Sequence, residues 1–286
     1  MKNKDNQVHL HGFLNEVREF EINDKKSFKM DVATVEQYKV GDETKKNYTY
    51  HRVGLITDDA KTIKAIRAAM KDIENNKKHA AEADFKPKVH TVSLDGSLVV
   101  RENEKDGKLY YNPEVVAEQE SFKLDAKLAE GEVRNLAEFK GNIASIDIND
   151  EYKFAKINIA LHYFVPGESE NYKGEVKPYT ENTSFAETRV NAKLLPKVFE
   201  DLSNGNLAVG DLISVRGQMH NNRYTDSKDT KQNKIVVDLK KVELIAKKGQ
   251  KKAAAEEKTE KKAEVKKETK KAAPKKAAPR KKGVTM

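Results

Sequence analysis

Along the first 122 residues, hydrophobic and polar positions alternate in runs that read as strands, interrupted by one helical stripe. Val8–Leu14 alternates like a half-buried strand, and Ser27–Tyr38 follows with Phe28, Met30 and Val32 on one face. After the Gly41-Asp42 loop, Asn47–Ile56 alternates again. Asp58–Lys77 then carries Ile63, Ile66, Met70 and Ile73 at spacings that form a single helical stripe. Thr57 and Asp58 are the expected N-caps of that helix. Strands resume at Lys88–Arg101 and Lys108–Phe122, joined by a turn containing Asp106-Gly107, a strong hairpin signal.

A charged Ala/Glu/Gly segment, Asp125–Arg134, separates this half from one with the same order. Strands are expected at Asn135–Ile148 and Lys153–Val165, and a polar loop at Pro166–Asn182. A strand at Thr183–Asn191 follows, then a short helix at Leu194–Leu202 interrupted by Pro196. The last strands are Asp211–His220 and Lys234–Ala246. Each half reads β-β-β-α-β-β, the order of a five-stranded OB barrel. Short motifs recur in step: Tyr50-His51-Arg52-Val53 matches Glu187-Thr188-Arg189-Val190, and Val92–Leu98 matches Ile213–Met219. The expected fold is mainly β, two OB barrels in tandem with one helix each: domain 1 at 1–124, a linker at 125–133 and domain 2 at 134–246.

Residues 247–286 break the pattern. They hold Lys, Ala, Glu and Pro with no aromatic residue, so this tail is expected to be disordered. Ala253–Lys271 has the composition of a helix formed on binding, while Pro274 and Pro279 keep the remainder extended. The tail also relocates the charge. It carries sixteen Lys and Arg against five Glu, so its +11 exceeds the chain's net +9 and leaves the body at −2. A nucleic-acid site on the body must therefore be a local patch.

The absence of cysteine removes disulfides, thiolate metal sites and cysteine nucleophiles. No apolar run approaches a membrane span or the core of a signal peptide, so a cytoplasmic, nucleoid-associated protein is expected. No phosphate-cradling glycine loop, nucleophile triad or metal cluster is readable, so neither enzyme activity nor a cofactor is expected. His9 and His11 share a strand face, but no third ligand sits at a recognisable spacing.

The chain resembles the bacterial and phage single-stranded DNA-binding protein family. Asn6–Leu14 reads Asn-Gln-Val-His-Leu-His-Gly-Phe-Leu, close to that family's opening strand. Ala33-Thr34-Val35-Glu36-Gln37-Tyr38 resembles the end of its second strand, and Tyr50-His51-Arg52-Val53 its Trp-His-Arg-Val third strand. Gly210–Met219, followed by Arg223-Tyr224, resembles its fourth. The resemblance covers most of both halves and none of the tail. It departs from the family in having no tryptophan and in ending Lys-Lys-Gly-Val-Thr-Met, so the family's recruitment of partners through an acidic tip is not carried over.

The resemblance implies binding of single-stranded DNA with little sequence preference during replication, recombination or repair. Tyr38, Tyr50 and Tyr224 would stack bases, and Arg52, Arg101, Arg189 and Arg223 would meet phosphates. Each has a plain alternative: a strand tyrosine is often a packing residue, and a surface arginine an ion-pair partner. Tyr163 and Phe164 are either core or platform. It also implies a homodimer, with a monomer as the alternative, and replication or recombination proteins as partners. RNA is the second reading, since OB barrels accept both nucleic acids. The third is a protein-interaction scaffold in which only the tail touches nucleic acid.

Overall fold

The computed structural model describes residues 4–22, 25–105, 107–127, 135–170, 176–225 and 231–249. Met1–Ile245 form one compact unit. The residues from Ala246 onward form a second, of which those up to Gly249 are described. Most of the tail, residues 128–133 of the expected linker and Arg134 lie outside the described residues.

The first half builds β1 (Asn6–Ile22), β2 (Lys25–Val40), β3 (Glu43–Thr57), α1 (Ala60–His79), β4 (Thr91–Lys105), β5 (Lys108–Ala117) and a two-residue β6 (Lys123–Leu124). The second builds β7 (Asn135–Asn149), β8 (Phe154–Glu170), β9 (Val176–Asn191), α2 (Pro196–Ser203), β10 (Leu212–Thr225) and β11 (Lys231–Ala246). Strands close in the order β1-β2-β3-β5-β4-β1 and again as β7-β8-β9-β11-β10-β7, with β3–β5 and β9–β11 parallel. These are two OB barrels. Their interiors take the inward-facing residues of every strand, among them Phe28, Met30, Leu55 and Leu98 in barrel 1 and Phe139, Ile157, Leu161 and Ile213 in barrel 2.

Helix α1 buries Ile66 and Ala69, with Ile63, Met70 and Ile73 packed partly against the core, as the stripe predicts. Its cap is Asp59, whose carboxylate accepts from the Thr62 amide at 2.8 Å; Thr57 instead accepts from the Asp59 amide. Polar contacts from the middle of the helix tie it to the barrel. Arg67 pairs with Glu19 of β1 at 2.6 Å, and buried His90 lies 3.0 Å from both Asp72 of α1 and Asp125. In barrel 2, Pro196 opens α2 rather than interrupting it, because a proline at the first helical position forfeits no hydrogen bond.

One expected loop is largely strand. β8 continues to Glu170 and β9 starts at Val176, so most of 166–182 is a paired hairpin arm. Its polar composition hid this, since pairing of the backbone needs no alternation. Pro166 fits because the ladder shifts register between Pro166 and Ser169, where a residue without an N–H is tolerated.

The barrels are duplicated down to single side chains. Asn6 grips β4 from both sides, its amide donating to Leu98 O at 2.8 Å and accepting from Leu98 N at 2.9 Å. Asn135 does the same to Met219, at 2.7 and 3.1 Å. Gly12 lies so close to Ala33 that a Cβ would sit 2.5 Å from its carbonyl oxygen, and Gly141 meets Ala160 in the same way. Gly96 against Val116 is likewise repeated by Gly217 against Asp238.

β1 and β7 join the barrels into one sheet, pairing antiparallel as Asn6↔Phe139, Val8↔Ala137 and Leu10↔Asn135. Counterparts exchange places in this register: Asn6 corresponds to Asn135 and Leu10 to Phe139. The joint is therefore self-complementary, like an isologous dimer interface within one chain. Two seams flank it, where β10 meets β3 and where β4 meets β9.

The β10–β3 seam is closed by polar groups. Asn135 Nδ2 approaches Thr34 Oγ1 at 3.5 Å, Thr34 Oγ1 lies 2.9 Å from His51 Nε2, and Asn221 donates to the Tyr50 carbonyl. His51 is fully buried. Burial, helped by nearby His220, pushes its imidazole down to about 3, so it folds neutral.

Two stability predictions follow from these groups. Asn6→Ala and Asn135→Ala each strand a buried N–H and C=O, and should each cost about 1–3 kcal/mol in urea unfolding; a change under about 0.5 kcal/mol, the surface-substitution level, would contradict the clamp. For His51, the unfolded chain binds the proton below its ordinary value of 6.5 while the folded one does not until about 3. Stability is thus whole above pH 6.5 and falls by up to about 1.4 kcal/mol per pH unit below it. His51→Gln should flatten that limb of the stability–pH curve; an unchanged slope would show His51 to be charged or solvated.

Candidate nucleic-acid interface

On the outer face of β3, alternate residues form a row: Lys46, Tyr48, Tyr50 and Arg52. All four are exposed, Tyr48 to 50% and Tyr50 to 43%, while Thr49 and His51 between them, and Val53 beyond, are buried. A strand places such residues roughly 7 Å apart on one face. The row widens sideways. Ala33 of β2 pairs with both Tyr50 and Phe13 of β1, so a single methyl group separates two exposed rings. At the other end, Arg52 Nη1 lies 3.4 Å from Asn112 Oδ1 on β5, and Asn112 pairs across the ladder with Arg101 of β4. Arg101 is held by Glu114 at 3.3 Å. Cations and π-faces thus share one surface that runs from β1 across β2, β3 and β5 to β4.

Among the residues singled out by sequence, Tyr50, Arg52 and Arg101 come together here. Tyr38 lies in β2 opposite Lys45, and Arg223 and Tyr224 lie near the end of β10; the side chains of these three are outside the described residues. Arg189 is elsewhere. It is half-buried, its guanidinium sits 5.6 Å from the Phe154 ring, and its Nε is buried with no partner among the described residues.

Strand registers correct the motif match that suggested Arg189. Ala33 pairs with Tyr50 and its counterpart Ala160 with Phe185. Independently, Val53 pairs with Val115 and Thr188 with the counterpart of Val115, Val237. Tyr50 therefore corresponds to Phe185, Arg52 to Glu187, and Arg189 to Gly54. The matched motifs are two residues out of step, a slip that keeps every side chain on its face and so leaves the hydrophobic pattern intact.

The correct register exposes two residues that sequence matching passed over. Phe185 is 53% exposed at the position of Tyr50, and Tyr48 extends the row on β3. The alternation Thr183-Phe185-Glu187 was the available signal for the first. It also shows that the barrels are unequal. Barrel 1 presents Lys46-Tyr48-Tyr50-Arg52, and barrel 2 presents Glu181-Thr183-Phe185-Glu187, with carboxylates where barrel 1 has cations. Glu187 is paired with Lys234 at 3.4 Å.

Among the described residues no group of three or more His, Cys, Asp or Glu is placed to hold a metal ion; His9 instead pairs with Asp95 at 2.7 Å. Among them, too, no helix is long and apolar enough to cross a membrane.

No protein-family model matches the chain, and no curated protein matches it. Solved structures do. A deletion mutant of the single-stranded DNA-binding protein from Thermus aquaticus matches with a TM-score of 0.50 at 19% identity, covering 85% of this chain and 95% of that one. The wild-type Thermus aquaticus protein gives 0.49 at 19% identity over 85% and 93%. Plasmodium falciparum SSB in complex with single-stranded DNA matches 42% of this chain and 99% of its own, at 18% identity and a TM-score of 0.27. The first likeness, spanning 85% of this chain and 95% of the other, shows that the chain shares the fold of the Thermus protein.

Proposed function

We propose that this protein binds single-stranded DNA with little sequence preference, as a member of the single-stranded DNA-binding protein family, and does so without catalysis. The observation that carries the reading is the exposed row Lys46-Tyr48-Tyr50-Arg52 on β3, flanked by Phe13. Rings at that spacing stack on bases of any identity, because each base has a π-face, while the cations at either end track the phosphates. A duplex keeps its bases stacked on one another and offers such rings nothing. The Thermus aquaticus protein whose fold this chain shares is described as a single-stranded DNA-binding protein.

The basic tail fits the same function. Sixteen cations appended to a body of net −2 raise affinity by releasing counterions, a contribution that fades as salt rises. Coating of exposed strands in replication, recombination or repair is the role such binding serves, with a homodimer placing four barrels around the strand.

Full-length chain titrated with oligo-dT, oligo-rU and duplex DNA at moderate salt should favour oligo-dT. Tyr50→Ala should then weaken oligo-dT binding by about 1–3 kcal/mol, roughly 5- to 150-fold. Equal or better binding of oligo-rU would make RNA the ligand, and an unchanged affinity in Tyr50→Ala would remove the β3 row from the interface.

A further inference from the structure

The two seams flanking the β1–β7 joint are counterparts, yet the side-chain hydrogen bonds that cross the first have no equivalents across the second among the described residues. At the β10–β3 seam Thr34 takes Asn135 Nδ2 and Asn221 reaches the Tyr50 carbonyl from barrel 2, while His51 supports Thr34 from within barrel 1. By the same strand registers, the counterparts of Thr34, His51 and Asn221 in the β4–β9 seam are Leu161, Ala186 and Val100. An imidazole has become a methyl group, and a hydroxyl and an amide have become aliphatic. Nothing in those three residues can span the gap.

What lies there is a cleft of about 950 Å³, with walls from β4 and β5 of barrel 1 and from β7, β8, β9 and β11 of barrel 2. That volume is in the range of pockets that hold a ligand the size of a nucleotide. Its lining has the chemistry of one. Arg101 enters from barrel 1, and Lys234 from barrel 2. Phe185 and Tyr163 supply aromatic surface, and Tyr163 has no counterpart ring in barrel 1, where the matching position is Glu36. Ser184 borders the cleft with its hydroxyl buried and without a partner among the described residues. Both cations are steadied by carboxylates, Arg101 by Glu114 at 3.3 Å and Lys234 by Glu187 at 3.4 Å.

We propose that the single strand crosses from barrel 1 to barrel 2 through the β4–β9 seam and not through the β10–β3 seam, with a nucleotide seated in this cleft. Its phosphate lies between Arg101 and Lys234, and its base lies against Phe185 and Tyr163. The proposal rests on the single-strand reading above and adds a path to it. The strand is anchored on the cationic row of barrel 1, threads the open seam and meets barrel 2 at Phe185, beyond which Glu181 and Glu187 give it less to hold. The β10–β3 seam lies off this path.

The test uses full-length chain and two lengths of oligo-dT: one of about 8 nucleotides, within the reach of one barrel, and one of about 35, long enough for both. In Lys234→Gln the salt slope for the long oligonucleotide should drop by about 0.7, one phosphate contact. Tyr163→Ala should weaken the long one by about 5- to 150-fold. Neither variant should alter binding of the short one, and Asn221→Ala in the sealed seam should alter neither. Photocrosslinking of the unsubstituted chain to 5-iodouracil-labelled oligonucleotides covers the case in which Tyr163→Ala fails to fold, and should label Phe185 or Tyr163 with the long strand. Tight binding of the long strand with no such crosslink and an unchanged salt slope in Lys234→Gln would overturn the path while leaving single-strand binding intact. No binding of either length by the unsubstituted chain would sink both.

Discussion

The antiparallel pairing of β1 with β7 is the contact on which the arrangement depends. It aligns Val8 with Ala137 at the centre and places Asn6 and Asn135 at symmetric positions on either side. Each asparagine then fastens its own barrel's fourth strand, β4 or β10, to the joint. Closure of the barrels and their attachment to each other are thus one piece of construction. An OB barrel alone has strand edges that must be covered; here each covers its partner's, and the outer face of β3 is left open as a surface.

That construction explains why duplication did not yield two equal halves. Residues that maintain the barrels, such as the clamp asparagines and the glycines under Ala33 and Ala160, recur in both. Residues that face solvent or the seams have diverged. Cations on β3 became carboxylates on β9, and the positions of Thr34, His51 and Asn221 became the aliphatic Leu161, Ala186 and Val100, the last of which borders the cleft. The first group answers to packing, where a single added methyl group costs stability. The second is free to answer to a ligand.

Most of the fold was legible in the sequence because its strands are half-buried. Alternation at Val8–Leu14 and Asn47–Ile56 located β1 and β3, the stripe from Ile63 to Ile73 located α1, and repetition of the order gave two barrels. Boundaries failed where the sequence carries no regular alternation of apolar and polar residues, as in the arm made by the ends of β8 and β9. The candidate site was legible on β3 and misread on β9. A slip of two residues preserves the period of a strand, so Arg189-Val190 imitated Arg52-Val53 until pairing with β8 and β11 fixed the register. The cleft was not legible at all, since it joins Arg101 to Tyr163 and Lys234 across two barrels.

The central claim is that tyrosines on β3 stack on unpaired bases, and the absence of tryptophan makes it directly observable. Emission from the full-length chain comes from its ten tyrosines. Titration with oligo-dT at moderate salt should quench that emission to a saturating plateau, with duplex DNA producing little change and Tyr48→Phe/Tyr50→Phe losing much of the signal while still binding. Emission that stays constant through a titration in which binding is seen by another probe, or that duplex quenches equally, would contradict stacking on the β3 row.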